Sequence, residues 1–302
     1  MRLRLRALGL GAPRAASLHA QSICAEAQLL CSPPTQGTQL AVEQLRSQGG
    51  QGAVAVEGFV GATAGGFSGG TLASLLGALD DPAARRLAGS HALDPEWAPR
   101  ADAGPQMTWR HSPAGKRWTL PSIMAAVNEK VVLRSAALAP ELYGGRGEFS
   151  YREATLAPNG FGAAVGTVLM GAAALALALK PTRWLLNATV LPQPGQGPSQ
   201  ASREGGFFSG HVVATDSSVP PQRAYARVAA RNADPGYKGT SIMAAEAALC
   251  LALQREACPG SKRGGVLTPA TAMGSVLVER LRAAGFTLEA RPFGAEERVP
   301  DA

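Results

Sequence analysis

A glycine-rich segment that follows an apolar stretch carries the residue types most suited to binding a ligand. Residues 53–56 and 59–60 have the pattern of a strand, GGFSGGT follows at 65–71, and residues 72–79 have the pattern of a helix. Backbone N–H groups at a helix start after such a turn bind anions. The same glycines also suit a tight turn in which two backbone segments approach closely. The residues alone leave both interpretations open.

The cysteines and histidines form no pattern typical of catalysis or metal binding. Cys24, Cys31, Cys250 and Cys258 include no CxxC pair and have no histidine cluster beside them, so we expect buried thiols and no metal site. His211 stands alone in a predicted strand, where we expect a structural histidine with satisfied hydrogen bonds rather than a base or a ligand. The sequence contains no Ser/His/Asp, HExxH, Walker or EF-hand pattern.

The formal net charge of +7 does not indicate a nucleic-acid-binding protein. Part of the charge lies in the first 35 residues, and the rest is spread without a basic run or interleaved aromatic residues. Residues 80–115 contain several prolines and predict irregular surface structure. A small basic cluster lies at the end of this segment, and its charges are either solvated or contact a phosphate-bearing partner: Arg110, His111, Lys116 and Arg117.

Residues 1–36 are rich in arginine and poor in acidic residues, which is typical of an organellar transit peptide. The alternative to a transit peptide is that the start of the protein is misassigned in this segment. A dinucleotide-binding βαβ unit needs about 30 residues and an acidic residue near the end of its second strand. Nothing in this segment supplies such a unit with its acidic residue, so we expect no complete cofactor domain in the chain.

Periodicity predicts further helices at 38–50, 122–138, 236–256 and 268–284, with Gly285 just after the last of them. Residues 207–215 and 223–230 predict a hairpin, and 286–291 predict a closing strand. The Pro-, Gly-, Ser- and Gln-rich residues 192–206 read as a linker. Composition and periodicity therefore indicate an α/β-type domain with one very apolar helix.

That helix is predicted at 161–179, which contains no charge and no proline. At about 1.5 Å per residue it approaches the ~30 Å of a bilayer core. Because seven of its positions are alanine, it lies at the boundary between a membrane-spanning helix and a buried soluble one. If it contacts a membrane, the expected contact residues are Phe161, Val165, Leu169, Leu175, Leu179 and, at its polar end, Trp184.

Four stretches, in this order and spacing, together resemble one known family. They are VEGFVGATAGGFSGGTLAS at 56–74, PSIMAAVNEKVVLRSAAL at 121–138, the block from FSYRE through KPTRWLL to GPSQASREGGFF at 149–208, and DPGYKGTSIMAAEAALCLAL with GGVLTPATAMGSVLVERLRAAGF at 234–286. The chain resembles the saccharopine dehydrogenase-like oxidoreductases, in their trans-acting enoyl reductase branch. The resemblance implies an α+β fold with a mixed sheet, flanking helices and one long apolar helix. It also implies a domain at 37–291 between residues 1–36 and a tail at 292–302.

Full-length members of that family bind NAD(P) in an N-terminal Rossmann domain, and the bacterial enoyl reductases act on acyl chains during glycolipid assembly. The resemblance implies that eight residues face the cofactor or substrate in the cleft between domains: Gly65, Gly66, Gly69, Gly70, Thr71, Asn128, Arg134 and Ser135. No catalytic residue follows from it. Tyr237 is one candidate for the proton donor that enoyl reduction needs, and its alternative role is a core aromatic at a helix start.

Three hypotheses follow. The chain is the second domain of a truncated NAD(P)-dependent oxidoreductase of lipid metabolism, which alone binds no cofactor and has no turnover. Alternatively, it is a non-catalytic protein anchored to a membrane, with a lipid droplet or a mitochondrion as the expected location. The third hypothesis is a soluble protein whose apolar helix packs in its core or in a homodimer interface.

Overall fold

A mixed sheet of seven strands organises the chain, which confirms the predicted α+β fold with a mixed sheet. The computed structural model describes residues 33–65, 76–77, 80–81, 93, 105–145, 147–192 and 197–301. The strand order is β2-β3-β4-β1-β5-β6-β7. The strands are β1 (Val54–Ala64), β2 (Arg110–Ser112), β3 (Arg117–Pro121), β4 (Phe149–Leu156), β5 (Phe207–Asp216), β6 (Arg223–Arg231) and β7 (Thr287–Pro292).

Strand β1 lies in the middle and pairs on both sides. It runs parallel to β4, with Val54 opposite Phe149, and antiparallel to β5, with Val54 opposite Asp216. The predicted hairpin of β5 and β6 is confirmed, and β7 pairs with β6 as a closing strand. Strands β2, β3 and β4 were not predicted from the sequence. The prediction that residues 80–115 are irregular is wrong where β2 lies.

Eight helices occur in the described part of the chain. They are α1 (Pro33–Ser47), α2 (Ala125–Leu138), α3 (Pro140–Tyr143), α4 (Gly160–Ala178), α5 (Lys180–Thr189), α6 (Gln200–Glu204), α7 (Lys238–Leu253) and α8 (Pro269–Ala283). Helix α8 begins with a capping box at Thr268, and Gly285 after it has a φ of +92°, as expected for the residue that ends a helix. Helix α6 lies inside the predicted linker at 192–206.

The main core lies between one face of the sheet and helices α1, α2, α7 and α8. Small residues of β6 such as Ala224 and Ala226 let helix α1 approach the sheet closely. A smaller apolar cluster lies on the opposite face, where the segment after β7 folds back across the strands. Its members are Phe59, Val213, Tyr225, Phe293 and Val299. The predicted tail at 292–302 thus contributes Phe293 and Val299 to a core.

Helix α4 does not pack in the core that the described residues form. Ala163 is its one buried residue, and contacts with β3 hold its first half, where Gly160 lies against Trp118 and Gly166 against Leu120. The hypothesis of a helix packed in the core is therefore wrong for the core that the described residues form. A helix that is apolar on all sides and exposed requires another apolar environment.

Gly274 interrupts the regular geometry of α8 with φ 52° and ψ −137°. Only glycine adopts this region at little cost, and an added Cβ would lie 2.9 Å from Cγ of Pro259. We expect Gly274→Ala to lower the free energy of unfolding by about 1–3 kcal/mol, measured by urea denaturation. Gly171→Ala is the control, because a Cβ there meets nothing within 4 Å. Equal stability of the two variants would contradict the prediction.

Candidate functional site

A buried carboxyl group on β4 is the centre of a polar cluster within the core face of the sheet. Glu153 is fully buried and accepts three side-chain hydrogen bonds. Ser122 Oγ donates to its Oε1 at 2.6 Å, and Asn128 Nδ2 donates to its Oε2 at 2.7 Å. Tyr151 OH donates to the same Oε2 at 3.2 Å. These donors hold the carboxyl in one orientation.

Local sequence explains why this carboxyl lies inside. Side chains alternate along a strand, so Glu153 shares the core face with Phe149 and Tyr151, four and two residues before it. Gly58 lies directly beside Glu153 on β1. The first turn of α2 supplies Asn128 to the cluster.

A second carboxyl group lies in the same cluster. Glu129 is 1% exposed, and its Oε1 has no hydrogen-bond partner. Burial and the nearby charge of Glu153 raise the pKa of Glu129 to about 7, against the opposing effects of a backbone hydrogen bond at Glu153 and of Arg152. Burial also raises the pKa of Glu153, although its three side-chain donors act in the opposite direction.

The two glutamates therefore hold a proton near neutral pH. We assign it to Glu129, since Glu153 already accepts three hydrogen bonds that favour its ionised form. Two carboxyl groups that compete for ionisation in a shared site form an acid that releases its proton around pH 7. Such a pair is able to donate a proton in a reaction, and it also makes the stability of the fold depend on pH.

The structure places the predicted cleft residues in different parts of the fold. Asn128 belongs to the buried cluster. Ser135 is buried about two turns further along α2, where its Oγ bonds to Thr268 Oγ1 at 2.8 Å and joins α2 to α8. Arg134 is partly exposed and donates to the backbone oxygen of Leu93 at 3.3 Å. Their role in facing a ligand stays a prediction.

Gly65 lies at the end of β1, seven residues beyond Gly58, which is roughly 20 Å along a strand. A Cβ on Gly65 would lie 3.1 Å from Asp234, so this position is a close approach of two backbones. Gly66, Gly69, Gly70 and Thr71, and most of the predicted helix at 72–79, lie outside the described residues. The anion-binding turn therefore stays a prediction.

Tyr237 lies just before helix α7. Its backbone N–H and those of Gly236 and Lys238 donate to the carboxylate of the buried Asp234, which holds the start of the helix. The Tyr237 hydroxyl lies beside Gly197. The sequence analysis missed Glu129, Glu153 and Tyr151. The alternation of Phe149, Tyr151 and Glu153 along a strand was the signal for two of them.

The basic cluster is not a set of solvated loop charges, which corrects the sequence analysis. Arg110 pairs with Glu57 at 2.8 Å and Lys116 with Glu296 at 2.8 Å. Arg117 is 5% exposed, pairs with Asp301 and belongs to strand β3. The prediction that His211 has satisfied hydrogen bonds is wrong for one of its two nitrogens, because Nδ1 bonds to Tyr225 whereas Nε2 has no partner among the described residues.

Two of the four cysteines lie in the described residues. Cys250 and Cys258 are free, buried thiols with their sulfur atoms 3.6 Å apart, which confirms the prediction for this pair. Among the described residues, His, Cys, Asp and Glu side chains form no group of three that could hold a metal ion.

The residues expected to contact a membrane lie on one exposed apolar surface. Helix α4 is long and apolar enough to cross a membrane, by its length and composition. Exposure ranges from 39% at Val165 to 80% at Phe161, and α5 adds an exposed tryptophan. We call the following residues the α4–α5 apolar surface: Phe161, Val165, Leu169, Leu175, Leu179 and Trp184.

Most of the chain is similar in sequence to mycobacterial trans-acting enoyl reductases. It is 40% identical over 246 residues to a Mycobacterium tuberculosis protein described as a candidate trans-acting enoyl reductase, and the alignment covers 74% of this chain and 56% of that protein. It is 33% identical over 244 residues to the trans-acting enoyl reductase of Mycobacterium bovis, with 73% and 55% covered. The chain thus spans about half the length of these relatives.

These similarities confirm the predicted resemblance to trans-acting enoyl reductases. The Mycobacterium ulcerans trans-acting enoyl reductase is 34% identical over 181 residues, which are 57% of this chain and 41% of that protein. No family model and no solved structure matches the chain. The wider saccharopine dehydrogenase-like grouping stays a prediction.

The raised pKa of Glu129 predicts a pH-dependent stability difference. A folded-state pKa of about 7, above the usual 4.5, means that this group's contribution is complete below pH 4.5 and is lost as the pH rises through 7. Glutamine cannot ionise. We therefore expect Glu129→Gln to gain thermal stability relative to the native protein between pH 5 and pH 8, measured as the difference in Tm at each pH.

Glu141→Gln is the matched control, because Glu141 is exposed on α3. Its Tm difference from the native protein is expected to stay constant over the same pH range. A constant difference for Glu129→Gln as well would show that Glu129 does not hold the proton.

Proposed function

We propose that the chain is part of an NAD(P)-dependent oxidoreductase of the enoyl reductase type that acts on an acyl or lipid substrate. The observation that carries this proposal is the 40% identity over 246 residues to a mycobacterial protein described as a candidate trans-acting enoyl reductase. The mixed sheet and the proton-bearing pair of Glu129 and Glu153 support it, since reduction of an enoyl group needs an acid as well as a reductant.

The described residues do not fit a dinucleotide site. Such a site needs parallel strands with a glycine-rich turn leading into a helix, whereas in the described part of the sheet one pair of strands is parallel and the others are antiparallel. We therefore assign the binding of the reductant, NAD(P)H, to a domain other than the one that contains this sheet. On this proposal the chain is truncated relative to the active protein, and alone it binds no NAD(P) and has no turnover.

The acid is assigned to this chain. The carboxyl group of Glu129 carries its proton near neutral pH, and its Oε1 has no partner that would compete for that proton. Tyr237 is the second candidate, because its phenol belongs to a segment near the end of β1, where the predicted cleft begins. Neither side chain needs a metal ion to donate a proton.

A chimera tests the proposal. The aligned region of the Mycobacterium tuberculosis relative is replaced by residues of this chain, and NADPH oxidation is measured with an enoyl thioester. We expect turnover by the chimera and none by this chain alone, because one wall of a cleft does not hold both reactants. The parent relative is the control. A chimera that binds NADPH and has no turnover would contradict the proposal.

Two variants of the chimera locate the acid. Glu129→Gln is expected to keep NADPH binding and to lose most of the turnover, by about 10²–10⁴-fold for a missing general acid. Full activity of Glu129→Gln would show that Glu129 is not the general acid. Tyr237 would then be the candidate, and Tyr237→Phe is the variant that tests it.

We propose as a second function that the chain attaches to a lipid surface, with a lipid droplet or mitochondrion as its location. The exposed α4–α5 apolar surface favours this function, since exposed apolar patches of this kind mark contacts with membranes or partners. It is compatible with catalysis on an acyl chain, and it also stands alone for a non-catalytic protein. A homodimer through the same helix is the competing proposal.

A charge on α4 tests attachment. Leu175→Arg is expected to reduce co-flotation with liposomes, because Leu175 lies in the last third of α4 and an arginine inside a membrane helix costs up to about 2.5–3.5 kcal/mol, the value at its centre. Leu253→Arg is the matched control, as Leu253 is an exposed leucine on α7. Unchanged flotation of Leu175→Arg would contradict attachment, and loss of a dimer in detergent would support the homodimer.

A further inference from the structure

A cavity lies on the face of the sheet opposite the main core. Its volume is about 170 Å³, well above the ~10–15 Å³ that a single water needs. Strands β5 and β6 form its floor, and segment 293–301 forms one wall. The lining residues are Ser209, His211, Arg227, Pro300 and Asp301.

His211 presents an unsatisfied nitrogen in this cavity. Its side chain is 2% exposed, and its Nδ1 lies 2.6 Å from the hydroxyl of Tyr225. Burial raises the pKa of Tyr225 to about 12, so the phenol keeps its proton and is able to donate it to Nδ1. In that tautomer Nε2 carries a hydrogen, and this buried donor has no partner. A buried donor without a partner costs about 1–3 kcal/mol unless something binds it.

The charges around His211 are mainly positive. Arg227, on the neighbouring strand, has a buried Nε without a partner, and Arg117 faces the same region from β3. Burial first, and then these two cations, lower the pKa of His211 to about 4, so the imidazole is neutral at pH 7. Arg291 lies over the ring of Tyr225.

Two carboxylates lie next to these cations. Asp301 pairs with Arg117, and Glu289 is the exposed neighbour of Arg227 on β7. Asp301 is 79% exposed and comes from segment 293–301, so its carboxylate is the one anionic group at the wall of the cavity in the described chain. Arg227 itself has no ion pair in the described residues.

We propose that this cavity binds a small oxyanion, a phosphate or a carboxylate, through Arg227, His211 Nε2–H and the hydroxyl of Ser209. His211 Nε2–H and Arg227 Nε–H are buried donors without partners in the described residues, and Arg227 is also a cation without an ion pair there. A ligand with two or more negatively charged oxygens would satisfy all of these groups. The carboxylate of Asp301 competes with that ligand for the positive charge. The site is separate from the Glu129–Glu153 cluster, because the sheet lies between them.

Phosphate titration of the purified full chain in a non-ionic detergent tests the proposal. Long-range ¹H–¹⁵N spectra report the Nε2 of His211, assigned with His211→Asn, at constant ionic strength set by chloride. We expect a saturable shift of this signal. Acetate in place of phosphate tells whether the site prefers a carboxylate or a phosphate.

Three variants distinguish phosphate binding at this cavity from non-specific electrostatic attraction of phosphate to the basic protein. Arg227→Gln is expected to weaken phosphate binding by about tenfold or more. Arg231→Gln is the matched control on the same strand and face, and it is expected to bind as the native protein does. Asp301→Asn is expected to bind more tightly, since it removes the competing charge.

Circular dichroism and the Tm of each variant verify that it is folded. An unsaturable shift in the native protein, or equal loss in Arg227→Gln and Arg231→Gln, would overturn the site. Unchanged or weaker phosphate binding by Asp301→Asn would contradict the proposal that the Asp301 carboxylate competes with the ligand.

Discussion

The double pairing of β1 is the interaction on which the rest of the structure depends. Its hydrogen bonds to β4 on one side and β5 on the other join the two halves of the sheet, which come from distant parts of the chain. Because β1 is central, both of its faces are covered, with Val54 and Val56 in the main core and Phe59 in the cluster opposite. The two candidate sites lie on these two faces, and the register of β1 therefore fixes both of them.

Burial of polar groups is the second feature that the fold must accommodate. A buried carboxyl group is costly unless it is protonated or well bonded. Glu153 has the bonds, supplied by Ser122, Asn128 and Tyr151, and the pKa of Glu129 is raised to about 7, which favours its protonated form below that pH. On the other face His211 and Arg227 each keep a buried nitrogen without a partner. A fold that keeps such groups unpaired in the described state is suited to binding something there.

The α4–α5 apolar surface and the sequence similarity lead to compatible functions. The helix leaves the sheet after Gly166 and exposes its leucines, and the similarity to trans-acting enoyl reductases covers 74% of the chain. A protein that acts on an acyl chain benefits from lying against lipid, since the substrate is concentrated there. The chain spans about half the length of these relatives.

Local patterns in the sequence were enough to identify several elements. The period of residues 125–138, 238–253 and 269–283 predicts helices, the alternation in β5 and β6 predicts their hairpin, and Gly285 marks a helix end. Those signals depend on contacts within a few residues. Strand β4 was missed because it is covered on both faces and carries Arg152 and Glu153, so that its pattern is not typical of an exposed strand. Strands β2 and β3 are short and lie in or just after the segment that was interpreted as irregular. The exposure of α4, the meeting of Glu129 with Glu153 and the cavity at His211 depend on residues from distant strands, and only the tertiary structure brings those residues together.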